Sequence, residues 1–283
     1  MMQYRNAMVD KLVSKRLVVM APHMDDETLG CGGVMALHAD KQQIYCIFAT
    51  NGAKSPSPLL PWQASGASEL PQIRKAEAQE ALGEIGIPGK NLRFLDFEDG
   101  RLRSSRHALV KKIAAQLNDI RPDFVLVPFR FDRHADHVAL HRAMRSVVIK
   151  NRMDTCVLEY FVYINWRLAP GRDIRPLVSQ NRLVSVDISA VAEQKRKALD
   201  HYRSQNSIIY DWQDSPILTE ESLQRRCAEP ECFLISETNE GLLDCFPSNR
   251  FRLLFAHYAE RVGKRPKDRL NAFFQLLKPW GRG

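Results

Sequence analysis

The chain has 283 residues, 45% of them apolar and 26% charged, a composition suited to one large α/β domain with its own core and not to a disordered or fibrous chain. No apolar run approaches the roughly 18 residues needed to span a bilayer. The formal charge is +8, but residues 249–283 hold nine Lys/Arg and two Asp/Glu, leaving 32 basic and 31 acidic residues before them, so a near-neutral body argues against a nucleic-acid groove, for which a basic stripe is expected.

In chain order, Leu17-Val18-Val19-Met20-Ala21 reads as a buried parallel strand. Thr28 is placed to cap a helix over 28–40. A strand follows over 44–49 and ends at the turn Asn51-Gly52. The Ser/Pro-rich stretch 53–70 reads as a mobile loop. Pro71 opens a helix to about Gly86, 92–95 is a strand and 105–119 a helix. Arg121-Pro122-Asp123 ends that helix, 124–128 is again a buried strand, and a helix runs over 136–150. Later strands are expected at 157–164 and 183–186, with a helix over 189–202. This alternation predicts a Rossmann-like α/β domain, residues 1–246, with a mainly parallel sheet and helices on both faces. After it, Phe251, Leu254, Phe255, Tyr258 and Val262, then Leu270, Phe273, Phe274 and Leu277, recur at helical spacing. They predict a basic amphipathic C-terminal extension over 247–283.

Ligands of doubly wound sheets bind beyond the carboxyl ends of the strands. Two polar clusters fall there: His23-Met24-Asp25-Asp26-Glu27 directly after the first strand, and His134-Ala135-Asp136-His137 shortly after the strand 124–128. Hydrolytic Zn²⁺ takes three His or carboxylate ligands and keeps one position for water. His23 and Asp26 are one helical turn apart, and His137 brings a third ligand from the other strand. Asp25 remains beside the metal as the base that takes water's proton and passes one to a leaving amine. His134 is placed to stabilise an oxyanion, with Asp136 holding its ring. The same donors suit Fe²⁺ or another divalent first-row ion. Glu27 reads as a support for the ligands. His141, four residues after His137, reads as a helix-face histidine rather than a further ligand.

At these residues the sequence resembles the LmbE/PIG-L deacetylases. His23–Glu27 is similar to their (A)HPDDE signature and His134–His137 to their HPDH signature. Arg74, Glu77, Ala81 and Leu82-Gly83 resemble the family's R-x-x-E…A-LG helix. Lys197, His201, Ser204 and Gln205 resemble its K…H-x-x-SQ segment, and Glu231 and Phe233 its E-x-F. Met24 and Ala135 stand where the family has prolines, both in spacer positions. The resemblance implies a metal-dependent hydrolase that removes acetyl from an N-acetylglucosamine-type sugar in a glycan, glycolipid or lipid-linked precursor. It implies His23, Asp26 and His137 as metal ligands, Asp25 as base, His134 as oxyanion and acid group, and Arg74 as a sugar contact. Other readings keep the metal site and change the substrate to a thiol-sugar conjugate or an antibiotic amino sugar, or drop catalysis for sugar binding. The basic extension reads either as helices packed on the body or as a surface for an anionic membrane or a phosphorylated glycan. The protein is expected in the cytoplasm, with the inner face of the membrane as the site of any peripheral contact.

Overall fold

The computed structural model describes residues 2–57, 69–163, 173–237, 241 and 244–246, with the backbone alone for 2–6. Most of the loop predicted over 53–70, and the whole basic extension, lie outside the described residues. In chain order the elements are α1 (Met2–Leu12), β1 (Leu17–Ala21), α2 (Asp26–Leu37), β2 (Ile44–Thr50), α3 (Leu70–Ile85), β3 (Leu92–Phe97), α4 (Arg106–Ile120), β4 (Phe124–Pro128), α5 (Ala135–Lys150), β5 (Cys156–Tyr160), β6 (Leu183–Val186), α6 (Ala192–Asp200), α7 (Arg203–Asn206), α8 (Glu220–Ala228) and β7 (Glu231–Ser236).

The seven strands form one sheet in the order β3-β2-β1-β4-β5-β7-β6. β1 pairs in parallel with β2 and with β4, Leu17 lying opposite both Ile44 and Phe124. β4 and β5 continue the parallel part, and β7 runs antiparallel between β5 and β6. The sheet is thus mainly parallel, as expected. Both β1 and β4 are buried along their whole length, because helices cover both faces and each strand must be apolar on both sides. Val18, Val125 and Val157 pack with Leu109, Ile113 and Met144 on the α4–α5 face. Val19, Leu126 and Leu158 pack with Leu29, Leu82 and Leu199 on the face of α2, α3 and α6. The strand order reverses between β1 and β4, and that is where a crevice opens at the carboxyl ends.

α2 begins two residues before the expected Thr28 cap. Asp25 carbonyl accepts from Leu29 N at 2.8 Å, while the Thr28 hydroxyl donates to Glu27 at 2.8 Å. Midway along α2, a buried ion pair contacts its backbone. Glu231 accepts from Gly33 N at 2.7 Å and Val34 N at 2.8 Å, and Lys195 Nζ bonds Glu231 at 2.7 Å and reaches Leu29 O at 3.2 Å. A Cβ at Gly33 would lie 2.4 Å from Ile188 Cγ2, so glycine lets α2 approach the turn before α6. The buried lysine of α6 is therefore Lys195. Lys197, which the sequence resemblance singled out, lies on the exposed face and pairs with Glu193. α1, α8 and β7 were not expected. No described helix is long and apolar enough to cross a membrane.

Candidate metal centre

The turn from β1 into α2 is fixed by side chain–backbone bonds. Asp26 Oδ2 accepts from His23 N at 3.1 Å, Glu27 Oε2 accepts from Asp25 N at 3.1 Å, and Arg74 Nη2 donates to Met24 O at 2.5 Å. These bonds do at Met24, itself fully buried, what a proline ring would do by restricting φ. Glu27 is in turn held by the hydroxyls of Thr28 and Tyr202. Asp25 is forced to φ 142°, ψ −32°, a region that costs an L residue roughly 1–3 kcal/mol and persists only when the surroundings over-determine it. Gly52, at φ 63°, makes room for this arrangement. A Cβ there would come within 3.0 Å of Arg74 Cδ and Met24 Cε.

The structure brings the two predicted clusters together. Asp26 Oδ2 lies 3.1 Å from His23 Nδ1 and 3.2 Å from His137 Nε2. The His23 and His137 rings are 5.5 Å apart, and the His134 ring is 4.7 Å from His23 and 5.2 Å from His137. Ligand atoms of His23, His134 and His137 all fall within 4.8 Å of one another. Both ring nitrogens of buried His137 lack a hydrogen-bond partner, although carboxylate oxygens stand at contact distance. A buried His137 Nε2 that faces Asp26 Oδ2 without bonding it, beside His23 Nδ1 on the same oxygen, suits a divalent cation shared by the three side chains. Asp26 is the better third donor than His134, because it is closer to both rings and carries charge, whereas His134 Nδ1 already accepts from Asp136 N at 3.2 Å.

That bond makes His134 the N-cap of α5 and leaves its Nε2 to carry the ring hydrogen. It also redirects Asp136. The carboxylate expected to hold the His134 ring instead accepts from Gly100 N at 2.6 Å and Leu102 N at 3.1 Å and lies 3.5 Å from His23 Nε2. The capping ring folds back over the first turn of the helix while the Asp136 side chain points to the loop after β3. Two further carboxylates support the centre. Asp99 Oδ1 is 3.2 Å from His23 Nε2, and Asp132 Oδ1 is 3.3 Å from His137 Nδ1. Each imidazole thus has a carboxylate behind it, the arrangement that orients metal-binding histidines. Sequence reading missed both. Asp99 stands two residues past the end of β3, so the strand-end rule that found the two clusters reaches it as well.

Burial pushes the Asp25 pKa up to about 7, even though the Arg74 guanidinium at 3.1 Å pulls it down. Burial disfavours charge on His23, yet its hydrogen bonds to Asp136, Asp26 and Asp99 hold its pKa well above the usual range. His137 is likewise pushed up to about 10, with Asp26 and Asp132 outweighing burial. Burial, then the charges of His23 and His137, lower His134. Asp99 is drawn down to about 2, where the His23 ring outweighs burial.

Arg74 is 1% exposed. Besides Asp25 and Met24 it reaches Gly52 O and Ser55 O, each at 3.4 Å, so it braces Asp25 while lining the cleft. The motif residues of α3 and α7 meet beside it. Glu77 accepts from Ser204 N and Oγ, each at 2.7 Å, and Gln205 Nε2 donates to Ser55 O at 2.8 Å. His141 stands apart, its Nδ1 3.1 Å from Pro128 O. The cleft over the centre holds about 400 Å³, within the range of small-molecule sites. Its far wall is made by Val162, Tyr163 and residues of the α8 region.

Residues 18–148 match the family model described as GlcNAc-PI de-N-acetylase, PIG-L. A 2'-N-acetylparomamine deacetylase of Streptomyces fradiae is 28% identical over 221 residues, which cover 69% of this chain and 75% of that protein. A 4-oxalmesaconate hydratase of Pseudomonas putida is 26% identical over 141 residues, 48% of this chain and 52% of that protein. Among solved structures, the N,N'-diacetylchitobiose deacetylase of Pyrococcus horikoshii shares the fold at a TM-score of 0.56 and 19% identity, covering 82% of this chain and 93% of that one. Residues 18–148, which run from β1 into α5 and contain both polar clusters, are thus the part of the chain that is similar to the PIG-L (LmbE-like) family.

Proposed function

We propose that the protein is a metal-dependent N-deacetylase of N-acetylated amino sugars, in which His23, Asp26 and His137 hold one divalent cation. The observation that carries this is the convergence of those three donors beside a strained, buried carboxylate, Asp25, whose pKa sits at about 7. A cation bound there supplies Lewis acidity toward an amide carbonyl and lowers the pKa of water. Asp25 takes the proton of the attacking water and returns one to the nitrogen as the C–N bond breaks, giving acetate and a free amine. His134, with its hydrogen on Nε2, donates to the carbonyl oxygen as charge builds there. Arg74 holds Asp25, while Asp99, Asp136 and Asp132 orient the two imidazoles. Zn²⁺ is the ion we assign to this His₂Asp set, and Fe²⁺ suits the same donors.

The amino-sugar substrate is supported by the relatives that act on acetylated amino sugars, among them the acetylparomamine and diacetylchitobiose deacetylases. The Pseudomonas putida relative favours a second reading, in which a related centre adds water across a carbon–carbon double bond. Incubation of the metal-loaded protein with glucosamine derivatives bearing acyl chains of increasing length, with acid and amine both quantified, decides between them. The proposal predicts equimolar acetate and amine from an N-acetyl substrate. Failure to release acid from any member of the panel, with turnover of an unsaturated dicarboxylate instead, would establish the hydratase reading.

A further inference from the structure

We propose that the cleft takes a substrate carrying an anionic group, a phosphate or a carboxylate, against Arg225 and Arg226 of α8. This rests on the amino-sugar reading of the centre and adds the chemical class of the rest of the substrate.

Among the described residues lining the cleft are five cationic side chains and three carboxylates. The three carboxylates, Asp25, Asp26 and Asp99, all lie at the metal centre. Arg74 is committed to Asp25, and Lys54 Nζ bonds Asp99 O at 2.6 Å and Glu98 at 3.3 Å. The cations of α8 are placed differently. Arg226 donates from Nη1 to Phe161 O at 2.8 Å and from Nη2 to Val162 O. These bonds fix its guanidinium beside the end of β5 through backbone carbonyls, with the carboxylates of Asp132 and Glu229 acting on it only through their charge. Among the described residues, Arg225 forms an ion pair with Glu229 at 4.0 Å, the outer limit of such a pair, and Glu229 is held more closely by Arg175 at 3.2 Å. The Arg225 side chain is 41% exposed. Burial, and then the Arg225 charge, lower the Arg226 pKa, while Asp132 and Glu229 act the other way without cancelling them, so the two cations crowd one another at this end of the cleft.

Ser222, Arg225 and Arg226 all line the cleft. Their i, i+3, i+4 spacing on the nine-residue α8 puts them on one face. A hydroxyl beside two guanidinium groups is a donor set suited to the planar or tetrahedral oxygens of carboxylate and phosphate. Amide hydrolysis at the metal centre makes no use of these charges. They act on a part of the substrate remote from the acetamide, where binding favours one sugar derivative over another.

Binding of deacetylated sugars to the full-length, metal-loaded protein tests this without depending on turnover. The probes are methyl glucosaminide, glucosamine 1-phosphate and carboxymethyl glucosaminide, compared by calorimetry at low and high salt. At least one anionic sugar should bind roughly tenfold more tightly than the neutral one, as expected for one charge-assisted contact, and the preference should shrink with salt. Whichever anion wins identifies the group. Arg225→Ala should bring the anionic-to-neutral ratio to about one, and Arg225→Glu should push it below one. Lys197→Ala, which removes a cation from the exposed face of α6, should leave the ratio intact. Thermal unfolding of each variant confirms that it is folded. Neutral and anionic sugars binding within twofold, a ratio that survives Arg225→Glu, or an equal loss in Lys197→Ala would overturn the proposal. Absence of acetate release with the anionic preference intact would instead sink the deacetylase reading alone.

Discussion

Replacing Lys195 by Met tests how α2, the helix that carries Asp26, is held in place. Lys195 is 1% exposed and Glu231 5%. Glu231 accepts from Gly33 N, Val34 N and Lys195 Nζ, all within 2.8 Å. Without the lysine the carboxylate keeps two amide donors but loses its countercharge, and Leu29 O loses its contact with Nζ. Removing one partner of a buried ion pair costs about 3–5 kcal/mol. For a domain of this size 1 kcal/mol is about 2–4 °C in Tm, so Lys195→Met should melt on the order of 10 °C below wild type. Adding Glu231→Gln removes the stranded charge and leaves one amide of α2 without an acceptor, so the double variant should regain roughly half of the loss. Circular dichroism melts at matched pH and metal content measure this. A Lys195→Met protein melting within about 2 °C of wild type would refute the reasoning.

Burial lowers the His141 pKa to about 4 from its ordinary 6.5. The neutral ring is thus favoured in the fold, and its contribution is full above pH 6.5 and lost as pH falls from 6.5 toward 4, at about 1.4 kcal/mol per pH unit. In urea unfolding, wild type should lose roughly 2 kcal/mol more than His141→Gln between pH 6.5 and 5; parallel curves would show that the ring does not titrate as the structure implies. At neutral pH the metal-free centre holds protons on His23 and His137, both with raised pKa values, and a cation must displace them. Titrating Zn²⁺ into chelator-treated protein in dilute buffer should therefore release about two protons per cation. At a hundredfold excess over Kd the cation should stabilise the fold by about 3 kcal/mol. Binding without proton release would place the cation elsewhere.

The elements legible in the sequence were those whose burial is simple. β1, β2 and β4 are covered on both faces, so they read as unbroken apolar runs, and the polar clusters at their ends stood out against them. β7 was missed because it opens on a buried glutamate, Glu231, whose partner, Lys195, is in another element. The choice between Lys195 and Lys197 illustrates the same limit. Both lie on α6, and only the packing of α6 against α2 decides which is buried. At the centre, residue types marked His23, Asp25, Asp26, His134 and His137, since clustered ligand residues carry their own signal. Asp99 and Asp132 are isolated acids whose roles come from long-range approach. The partner of Asp136 depended on a detail of capping, the His134 ring turning back to its own helix, that spacing does not encode.

The most direct test of the account is turnover measured against metal occupancy. Chelator-treated protein is titrated with Zn²⁺, and bound metal and acetate release from an N-acetylglucosamine derivative are followed in wild type and in Asp25→Asn. The account predicts one cation per chain, wild-type acetate release rising in proportion to occupancy, and an Asp25→Asn protein that binds the cation but turns over roughly 10²–10⁴-fold more slowly. Acetate release that is independent of the metal, or that survives Asp25→Asn undiminished, would contradict it.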